Sequence, residues 1–201
     1  MYFTTKQIRD FFWATSLTVS ILTARAFTAQ AQDKLDIPYV PSPMIVVHRM
    51  LELAEVKKDD LLYDLGSGDG RIVIQAAKKY GTRGIGIDMN PDLVRAAREN
   101  AEKEGVSHLV EFRAADGLTI DISQATVVTL YMFKWFNNQM RPKLQSLKAG
   151  SRIVAHDFDI DEWKPTKIES VDASADPESY FAEPRTLYLW KIETPVSSAR
   201  Q

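Results

Sequence analysis

Residues 61–88 limit the possible folds of this chain more than any other segment. An apolar run over residues 61–65 leads into Gly-Ser-Gly-Asp-Gly at positions 66–70, where glycine occupies alternate positions. A helical pattern over residues 72–80 follows, and a second apolar run ends in Asp88, 22 positions after Gly66. Strand, glycine-rich turn, helix, strand and terminal acid in this order are typical of a nucleotide-binding βαβ unit, whose acid binds ribose hydroxyl groups.

The spacing of the glycines distinguishes between cofactors. A dinucleotide-binding loop reads G-x-G-x-x-G, whereas here the third glycine, Gly70, comes one residue earlier. Asp64 lies two residues before Gly66. A carboxylate in this place repels a pyrophosphate and attracts a cationic amino group. The loop therefore predicts a ligand that carries an ammonium group.

This combination resembles the cofactor motif of class I S-adenosylmethionine (SAM)-dependent methyltransferases. The resemblance implies that Asp64 and the glycine loop hold the methionine portion of SAM, and that Asp88 binds the ribose. It also implies that Met89 covers an adenine face and that Asp116 accepts a hydrogen bond from the adenine amine. The predicted cofactor-binding residues are Asp64, Gly66, Ser67, Gly68, Gly70, Asp88, Met89, Asn90, Asp116 and Gly117.

The composition excludes several kinds of site. The 201 residues suit one domain with a substantial core. Cysteine is absent, which excludes disulfides, thiolate metal sites and cysteine nucleophiles. His48, His108 and His156 are too far apart in sequence to form a local metal-binding motif, so no metal is predicted. A net charge of -2 without a long basic run does not favour nucleic acid as the main partner.

The N-terminal segment differs in pattern from the rest of the chain. Lys6 and Arg9 precede an apolar run at 11–22, and Ala-Gln-Ala follows at 29–31. This pattern predicts a secretory signal peptide cleaved before Gln32, because the run is shorter than the ~20 apolar residues that span a bilayer. The alternative is an uncleaved membrane anchor. The first interpretation predicts a periplasmic or secreted protein, and the second predicts a membrane-anchored one.

A proline-rich segment follows at residues 37–43. Its three prolines prevent a helix and hold the chain extended. The segment is either a rigid linker, which its composition alone favours, or a lid that holds Tyr39 over the cofactor site. Ser42 and Pro43 are typical of an N-cap and a first helical position. The helix after them is predicted to cover one edge of the sheet.

The remaining pattern predicts a Rossmann-like α/β sandwich of the class I methyltransferase type. Its sheet has seven strands, mostly parallel, with an antiparallel last strand. Further strands are predicted at 110–114, 125–131, 151–156, 166–171 and 185–192, and further helices at 90–103 and 137–147. The predicted segments are a signal or anchor at 1–31, a lead-in at 32–43, the domain at 44–194 and a disordered tail at 195–201.

The methyl acceptor is expected at the carboxyl ends of the strands, where ligands bind in open α/β sheets. The aromatic residues at 131–135 follow the central strand and would lie on this approach, although packing against the next helix explains them equally well. Asp157 follows the fifth strand at the same edge. Tyr39, Tyr131 and Asp157 are the candidate catalytic residues, which would orient the acceptor or accept its proton.

Three segments together resemble a narrower group, the ATP synthase c-subunit lysine methyltransferases and their prokaryotic relatives. They are Pro-Tyr-Val-Pro at 38–41, the run at 63–74 and Asn-Pro at 90–91. The resemblance implies N-methylation of a protein lysine and an active-site position for Tyr39, and it is compatible with membrane association through the N-terminal segment. Lys134 departs from the group, in which proline often follows the fourth strand. A small-molecule N- or O-methyltransferase and a non-catalytic SAM-binding protein therefore remain alternatives.

Overall fold

The computed structural model describes residues 39–174, 176–177, 179 and 183–193. The predicted signal or anchor at 1–31 and the predicted tail at 195–201 lie outside the described residues, as does the first part of the lead-in. No helix within the described ranges is long and apolar enough to cross a membrane.

The described domain contains a seven-stranded sheet with helices on both faces. The elements in chain order are α1 (Met44–Leu53), β1 (Leu61–Leu65), α2 (Arg71–Tyr80), β2 (Arg83–Asp88), α3 (Pro91–Lys103), β3 (Val110–Ala114), β4 (Val127–Leu130), α4 (Lys134–Gln145), β5 (Arg152–His156), β6 (Lys167–Val171) and β7 (Arg185–Lys191). The strand order is β3-β2-β1-β4-β5-β7-β6, and β7 is antiparallel to both of its neighbours. The other pairings are parallel, which confirms the predicted fold class.

The central strands divide the core into two layers. Val127 and Val154 pack with the helices α1, α2 and α3 on one face, while Val128 and Ile153 pack with α4 on the other. Because alternate residues of a strand point to opposite faces, a strand covered on both sides must be apolar throughout. This requirement explains the continuous apolar run that identified β4 from sequence.

The sheet order reverses beside β1, whose neighbours are β2 and β4. Such a reversal leaves a crevice at the carboxyl ends of the strands, because the connections on its two sides diverge to opposite faces. The glycine-rich segment leaves β1 at this point. The topology therefore places the predicted cofactor loop where ligands bind in such sheets.

Two helix starts differ from the prediction. Helix α1 begins at Met44 with Pro43 as its N-cap and no side-chain cap, so the prediction that Ser42 caps it was wrong. Ser42 Oγ instead forms a hydrogen bond with Nδ1 of His156. Helix α4 begins at Lys134, three residues before the predicted start.

Helix α1 also lies elsewhere than predicted. It packs against α2, β5 and β7 on one face of the sheet, whereas the sequence pattern predicts an edge. Its buried residues include Val47, Met50 and Leu51, which belong to the larger of the two core layers. The helix therefore carries the lead-in segment to the carboxyl end of β5.

A buried ion pair joins the ends of the strands opposite the crevice. Arg152 at the start of β5 donates two hydrogen bonds to the Asp60 carboxylate, at 3.0 and 2.6 Å. Asp60 also accepts from Thr126 Oγ1 at 2.7 Å. The side chains of Arg152 and Asp60 are 12% and 4% exposed, so the pair is shielded from water. It ties the segments before β1, β4 and β5 together.

Candidate functional site

The glycine loop folds back onto the end of β2. The amides of Gly66 and Ser67 both donate to the carbonyl of Ile87, at 2.8 and 3.0 Å. Gly68 has a φ of +53°, and a Cβ added to it would lie 2.4 Å from Cε2 of Tyr39. Only glycine allows this backbone conformation with an aromatic ring so close. The loop therefore presents bare backbone at the crevice.

Asp88 connects the loop to the end of β2. Its Oδ2 accepts a hydrogen bond from the Gly68 amide at 2.9 Å, and its Oδ1 accepts from the Asn90 amide at 2.8 Å. Asn90 is the N-cap of α3 and accepts from the Asp92 amide through its side chain at 2.9 Å. Met89 between them is 58% exposed. The carboxylate is thus held at the crevice beside an open apolar side chain.

Asp64 is a buried carboxylate beneath the loop. It is 2% exposed and accepts a hydrogen bond from Thr129 Oγ1 at 2.7 Å. Burial raises the pKa of Asp64 to about 7, and the neighbouring Asp88 and Asp69 contribute to the same shift. Within the described ranges no Lys, Arg or His pairs with it. A cationic ligand group would therefore stabilise its ionised form.

Ser67 supplies a buried polar atom, Oγ, that lacks a hydrogen-bond partner among the described residues. Buried hydroxyl groups are nearly always hydrogen-bonded, so an orphaned one in a ligand loop indicates a missing partner. The unpaired Asp64 carboxylate, the bare glycine backbone and this hydroxyl fit a ligand with a cationic amino group, which SAM has.

Asp116 and Gly117 lie beyond β3 beside this site. The amide of Ala115 donates to the carbonyl of Asp88 at 3.0 Å, which brings the segment next to the end of β2. Asp116 Oδ1 accepts from the Leu118 amide at 2.9 Å. A Cβ on Gly117 would lie 2.9 Å from the Phe136 ring. The acid thus stabilises its own turn with one oxygen, and the glycine permits close packing of α4.

Tyr39 lies against the glycine loop in the structure. Burial and the nearby Asp69 carboxylate raise the pKa of Tyr39 to about 12. Arg71 pairs with Asp69 at 2.8 Å and donates from Nη1 to the carbonyl of Ser42 at 2.8 Å. These contacts hold the end of the lead-in segment over the loop. They place Tyr39 at the predicted cofactor loop, the position that the lid interpretation requires and the rigid-linker interpretation does not.

Tyr131 lies at the carboxyl end of β4 in a group of aromatic rings. It stacks on His156, with 3.9 Å between ring centroids, and its centroid lies 6.3 Å from that of Phe158. Phe133 contacts Phe158 edge-on at 5.7 Å. Burial raises the pKa of Tyr131. The phenol is therefore protonated at neutral pH and can donate a hydrogen bond.

Asp157, the third candidate catalytic residue, follows β5 directly. It has a φ of +61°, which is uncommon for a residue with a side chain. Its carboxylate forms an ion pair with Arg185 and accepts from the Thr186 amide at 3.0 Å. The side chain therefore joins the end of β5 to the start of β7. This engagement favours a structural contribution over proton transfer.

The start of α4 forms the outer wall of the crevice. Lys134 pairs with Asp159 at 2.9 Å and with Asp161 at 2.7 Å. Phe133 and Trp135 on either side of it are 38% and 40% exposed. The aromatic residues at 131–135 thus have two roles, because the outer ones reach solvent while Tyr131 packs against β5.

Several residues of the site were missed by the sequence analysis. Thr129 lies within an apolar run, where its hydroxyl gave no sign of a carboxylate partner. Asp69 and Arg71 flank Gly70 in the motif itself, so their pairing was the most accessible of the missed features. His156 was considered only as a metal ligand and set aside. Its contacts arise from β5 and the lead-in coming together, which local spacing does not reveal.

Known proteins match this chain over the region just described. The sequence profile of the family described as "ANTKMT methyltransferase domain" matches residues 64–167, just over half of the chain. A protein-lysine N-methyltransferase of Saccharolobus islandicus is 44% identical over 138 residues, which cover 68% of this chain and 86% of that protein. The ATP synthase c-subunit lysine N-methyltransferase of Xenopus laevis is 36% identical over 152 residues, which cover 74% of this chain and 66% of that protein.

A solved structure is also similar over most of the domain. It is described as an RNA methyltransferase from Salinibacter ruber in complex with S-adenosyl-L-homocysteine. The two chains are 49% identical with a TM-score of 0.69, and the match covers 79% of this chain and 97% of that chain. The sequence and the fold therefore point to the same class of protein, while the names of these relatives differ in the acceptor.

Proposed function

The chain belongs to the family of ANTKMT methyltransferase domains, and we propose that it transfers a methyl group from SAM to a lysine side chain of a protein. The observation that carries the proposal is the buried Asp64 carboxylate, which lies beneath a bare glycine loop without a cationic partner among the described residues. Asp88 at the end of β2 accepts a hydrogen bond from the Gly68 amide of the same loop.

The site residues have separate contributions in this proposal. Asp64 and the glycine loop bind the amino-acid portion of the cofactor, and Asp88 binds its ribose hydroxyl groups. Met89 covers one face of the adenine, and Asp116 accepts a hydrogen bond from the adenine amine. The cofactor supplies an activated methyl group on its sulfonium, so the protein contributes mainly alignment and a suitable field. Alignment alone accounts for ~7–11 kcal/mol of a reaction barrier.

The charges at the acceptor side favour a lysine over a nucleic acid. Asp157, Asp159 and Asp161 lie on the connection after β5, where Arg185 pairs with Asp157 and Lys134 pairs with Asp159 and Asp161, so both cations are engaged by carboxylates. Binding to nucleic acid depends on cationic side chains that neutralise phosphates. An acidic approach instead attracts an ammonium group. The RNA acceptor in the name of the Salinibacter ruber protein is therefore the second candidate for this chain.

The outer wall of the crevice favours a protein acceptor over a small molecule. Lys134 and Trp135 lie in the first turn of α4, where the pairs with Asp159 and Asp161 hold them, so they do not form a free loop over the crevice. Partly exposed aromatic side chains such as Phe133 and Trp135 are enriched at protein interfaces. The surface suits a peptide segment that delivers its lysine to the crevice.

The candidate catalytic residues orient the acceptor in this proposal. The phenols of Tyr39 and Tyr131 are protonated at neutral pH, and burial raises their pKa values further, so they donate hydrogen bonds rather than accept a proton. The Asp157 carboxylate is engaged by Arg185 and Thr186. The lysine would lose its proton to solvent before attack, with Tyr131 directing the neutral amine.

Transfer of labelled methyl groups from SAM to a cell lysate tests the proposal. The purified chain should produce label that protease removes and ribonuclease does not, and acid hydrolysis should return it as methyllysine. Asp88→Ala serves as the inactive control. Lys191→Ala serves as the active control, because its exposed pair with Glu55 lies away from the crevice.

Each other result would overturn the lysine proposal in a distinct way. Ribonuclease-sensitive label would indicate an RNA acceptor, and label in the small-molecule fraction would indicate a metabolite. Absence of label, with S-adenosylhomocysteine still bound, would indicate a binding protein without turnover.

The N-terminal segment supports a further part of the proposal, that the chain is either exported or anchored in a membrane. Lys6 and Arg9 before the apolar run at 11–22 are typical of a segment that enters the secretory machinery. N-terminal sequencing of the protein from fractionated cells separates the two forms. A chain that begins at Gln32 outside the membrane indicates export, and an intact N-terminus in the membrane fraction indicates an anchor. An intact chain in the soluble fraction would contradict both.

A further inference from the structure

His156 is a completely buried histidine at the end of β5. It contacts Ser42 of the lead-in segment and Tyr131 at the end of β4. Its Nδ1 lies 2.9 Å from Oγ of Ser42, and its ring stacks on Tyr131. Its Nε2 lies 3.5 Å from Oδ2 of Asp157 but makes no hydrogen bond within the described part of the chain. Burial lowers the pKa of His156 to about 3, so the ring is neutral. The Ser42 contact is therefore the hydrogen bond that orients this ring.

Ser42 continues the connection to the cofactor loop. Its carbonyl accepts from Nη1 of Arg71 at 2.8 Å, and Arg71 pairs with Asp69. The Tyr39 ring lies near Asp69 and against Gly68 of the loop, where a Cβ added to Gly68 would lie 2.4 Å from it. Contacts therefore run without a gap from Tyr131 through His156 and Ser42 to the cofactor loop and Tyr39.

We propose that Ser42 and His156 are positioning residues, whose hydrogen bond holds the lead-in segment and Tyr39 against the glycine loop while His156 supports Tyr131. Residues 40–43 include two prolines, which cannot donate backbone hydrogen bonds. Ser42 supplies the side-chain hydrogen bond that ties this short segment to β5. Loss of that bond loosens the segment that carries Tyr39, which then depends on the Arg71 contact with the Ser42 carbonyl, and it leaves the His156 ring unoriented.

Matched substitutions separate positioning from a general effect on stability. Ser42→Ala and His156→Phe each remove the hydrogen bond, and His156→Phe keeps a ring beneath Tyr131. Ser151→Ala is the control, because Ser151 is equally buried and donates to the carbonyl of Ala125 at the opposite end of the strands. Each change removes one buried hydrogen bond, so the three variants should unfold at similarly lowered temperatures.

Binding and hydrogen exchange are the deciding measurements, and neither requires a methyl acceptor. Ser42→Ala and His156→Phe should weaken S-adenosylhomocysteine binding about two- to tenfold in calorimetry. They should also speed amide exchange of Val47, whose amide donates to the carbonyl of Pro43 at 3.0 Å, in the ligand-free protein. Ser151→Ala should change neither. The double variant should bind no more weakly than either single variant, because both changes break the same bond.

A second histidine variant tests the support of Tyr131. Asparagine at position 156 keeps an acceptor near the place of Nδ1 but loses the ring. His156→Asn should therefore retain S-adenosylhomocysteine affinity better than His156→Phe, and it should lower the turnover number more. Unchanged binding and exchange in folded Ser42→Ala would overturn the proposal. That outcome would leave the assignment of a lysine acceptor untouched, because the labelling experiment measures it separately.

Discussion

The amide of Gly68 donates a hydrogen bond to Oδ2 of Asp88 at 2.9 Å, which joins the loop after β1 to the end of β2. The acid predicted to bind ribose therefore also fixes the backbone that faces the ligand. In the proposed function, this side chain combines recognition of the ribose with organisation of the loop. Substitution at this position should affect both.

Removal of the Asp88 carboxylate should weaken cofactor binding strongly. Asp88→Ala loses the ribose acceptor and releases the Gly68 amide, so we expect affinity for S-adenosylhomocysteine to fall by at least about tenfold. Asp88→Asn keeps one oxygen that can still accept from Gly68, so its loss should be smaller. Calorimetric titration of both variants provides the measurement. Equal affinity of Asp88→Ala and the unaltered protein would refute the ribose assignment.

Asp64 should make the ligand-free protein less stable as the pH rises. Its pKa is about 7 in the folded state, against about 3.9 for an unfolded aspartate. The folded state therefore binds more protons in this window. The stabilisation is complete below about pH 4 and is lost as the pH rises through 7, with a magnitude on the order of 4 kcal/mol.

Denaturant unfolding at several pH values, with Asp64→Asn as the reference, measures this contribution. The amide does not titrate, so the difference in unfolding free energy between the two proteins isolates Asp64 from the other carboxylates. We expect Asp64→Asn to gain stability relative to the unaltered protein between about pH 4 and 7. A constant difference across that range would contradict the raised pKa.

Ionisation of Asp64 should also affect ligand binding. Affinity should rise with pH, whereas the stability of the ligand-free protein should fall. A cationic amino group prefers the ionised Asp64, so affinity for S-adenosylhomocysteine should rise between about pH 6 and 8 and then level off. Calorimetry in buffers of different ionisation enthalpy should detect proton release on binding near pH 7. Proton uptake, or none, would argue against contact between Asp64 and the ligand amine.

Gly68→Ala should displace Tyr39 from the loop. The new Cβ would lie 2.4 Å from the Tyr39 ring, and alanine also strains the positive φ of +53°. We expect a marked loss of S-adenosylhomocysteine affinity in the variant. In a Tyr39→Ala background the ring is absent, so Gly68→Ala should lower S-adenosylhomocysteine affinity by a smaller factor. Additive losses in the double variant would show that the ring and the loop act independently.

The buried pair of Asp60 and Arg152 should contribute to the unfolding free energy and not to cofactor affinity. Arg152→Ala leaves the Asp60 carboxylate buried without its cation, which typically costs about 3–5 kcal/mol of unfolding free energy. The exposed pair of Lys191 and Glu55 is the contrast, and Lys191→Ala should cost less than about 1 kcal/mol. Cofactor affinity of folded Arg152→Ala should be unchanged. A weakened affinity would mean that the pair shapes the crevice from a distance.

The cofactor half of the site was predictable because it is local in sequence. β1, the glycine loop, α2 and β2 follow one another from Leu61 to Asp88, and turn chemistry together with apolar patterning defines their boundaries closely. The continuous apolar run likewise identified β4 as a central strand. The fold class followed from these elements, since alternating strands and helices form a parallel sheet.

The acceptor half could not be predicted in the same way. Ser42 and His156 are 114 positions apart, and no periodicity relates them. The earlier start of α4 was missed because the aromatic residues before Asn137 have the pattern of a loop, while the pairs of Lys134 with Asp159 and Asp161 stabilise them as helix.

The local sequence alone predicts the class of ligand that this protein binds, because the acid and the glycines on which that prediction rests are neighbours along the chain. Two other properties come from the three-dimensional arrangement: Asp64 is buried enough to hold a proton near neutral pH, and Tyr39 and Tyr131 are connected through Ser42 and His156. Burial and long-range contact depend on the order of the strands and on the packing of α1 across them. Short-range pattern carries no information about either.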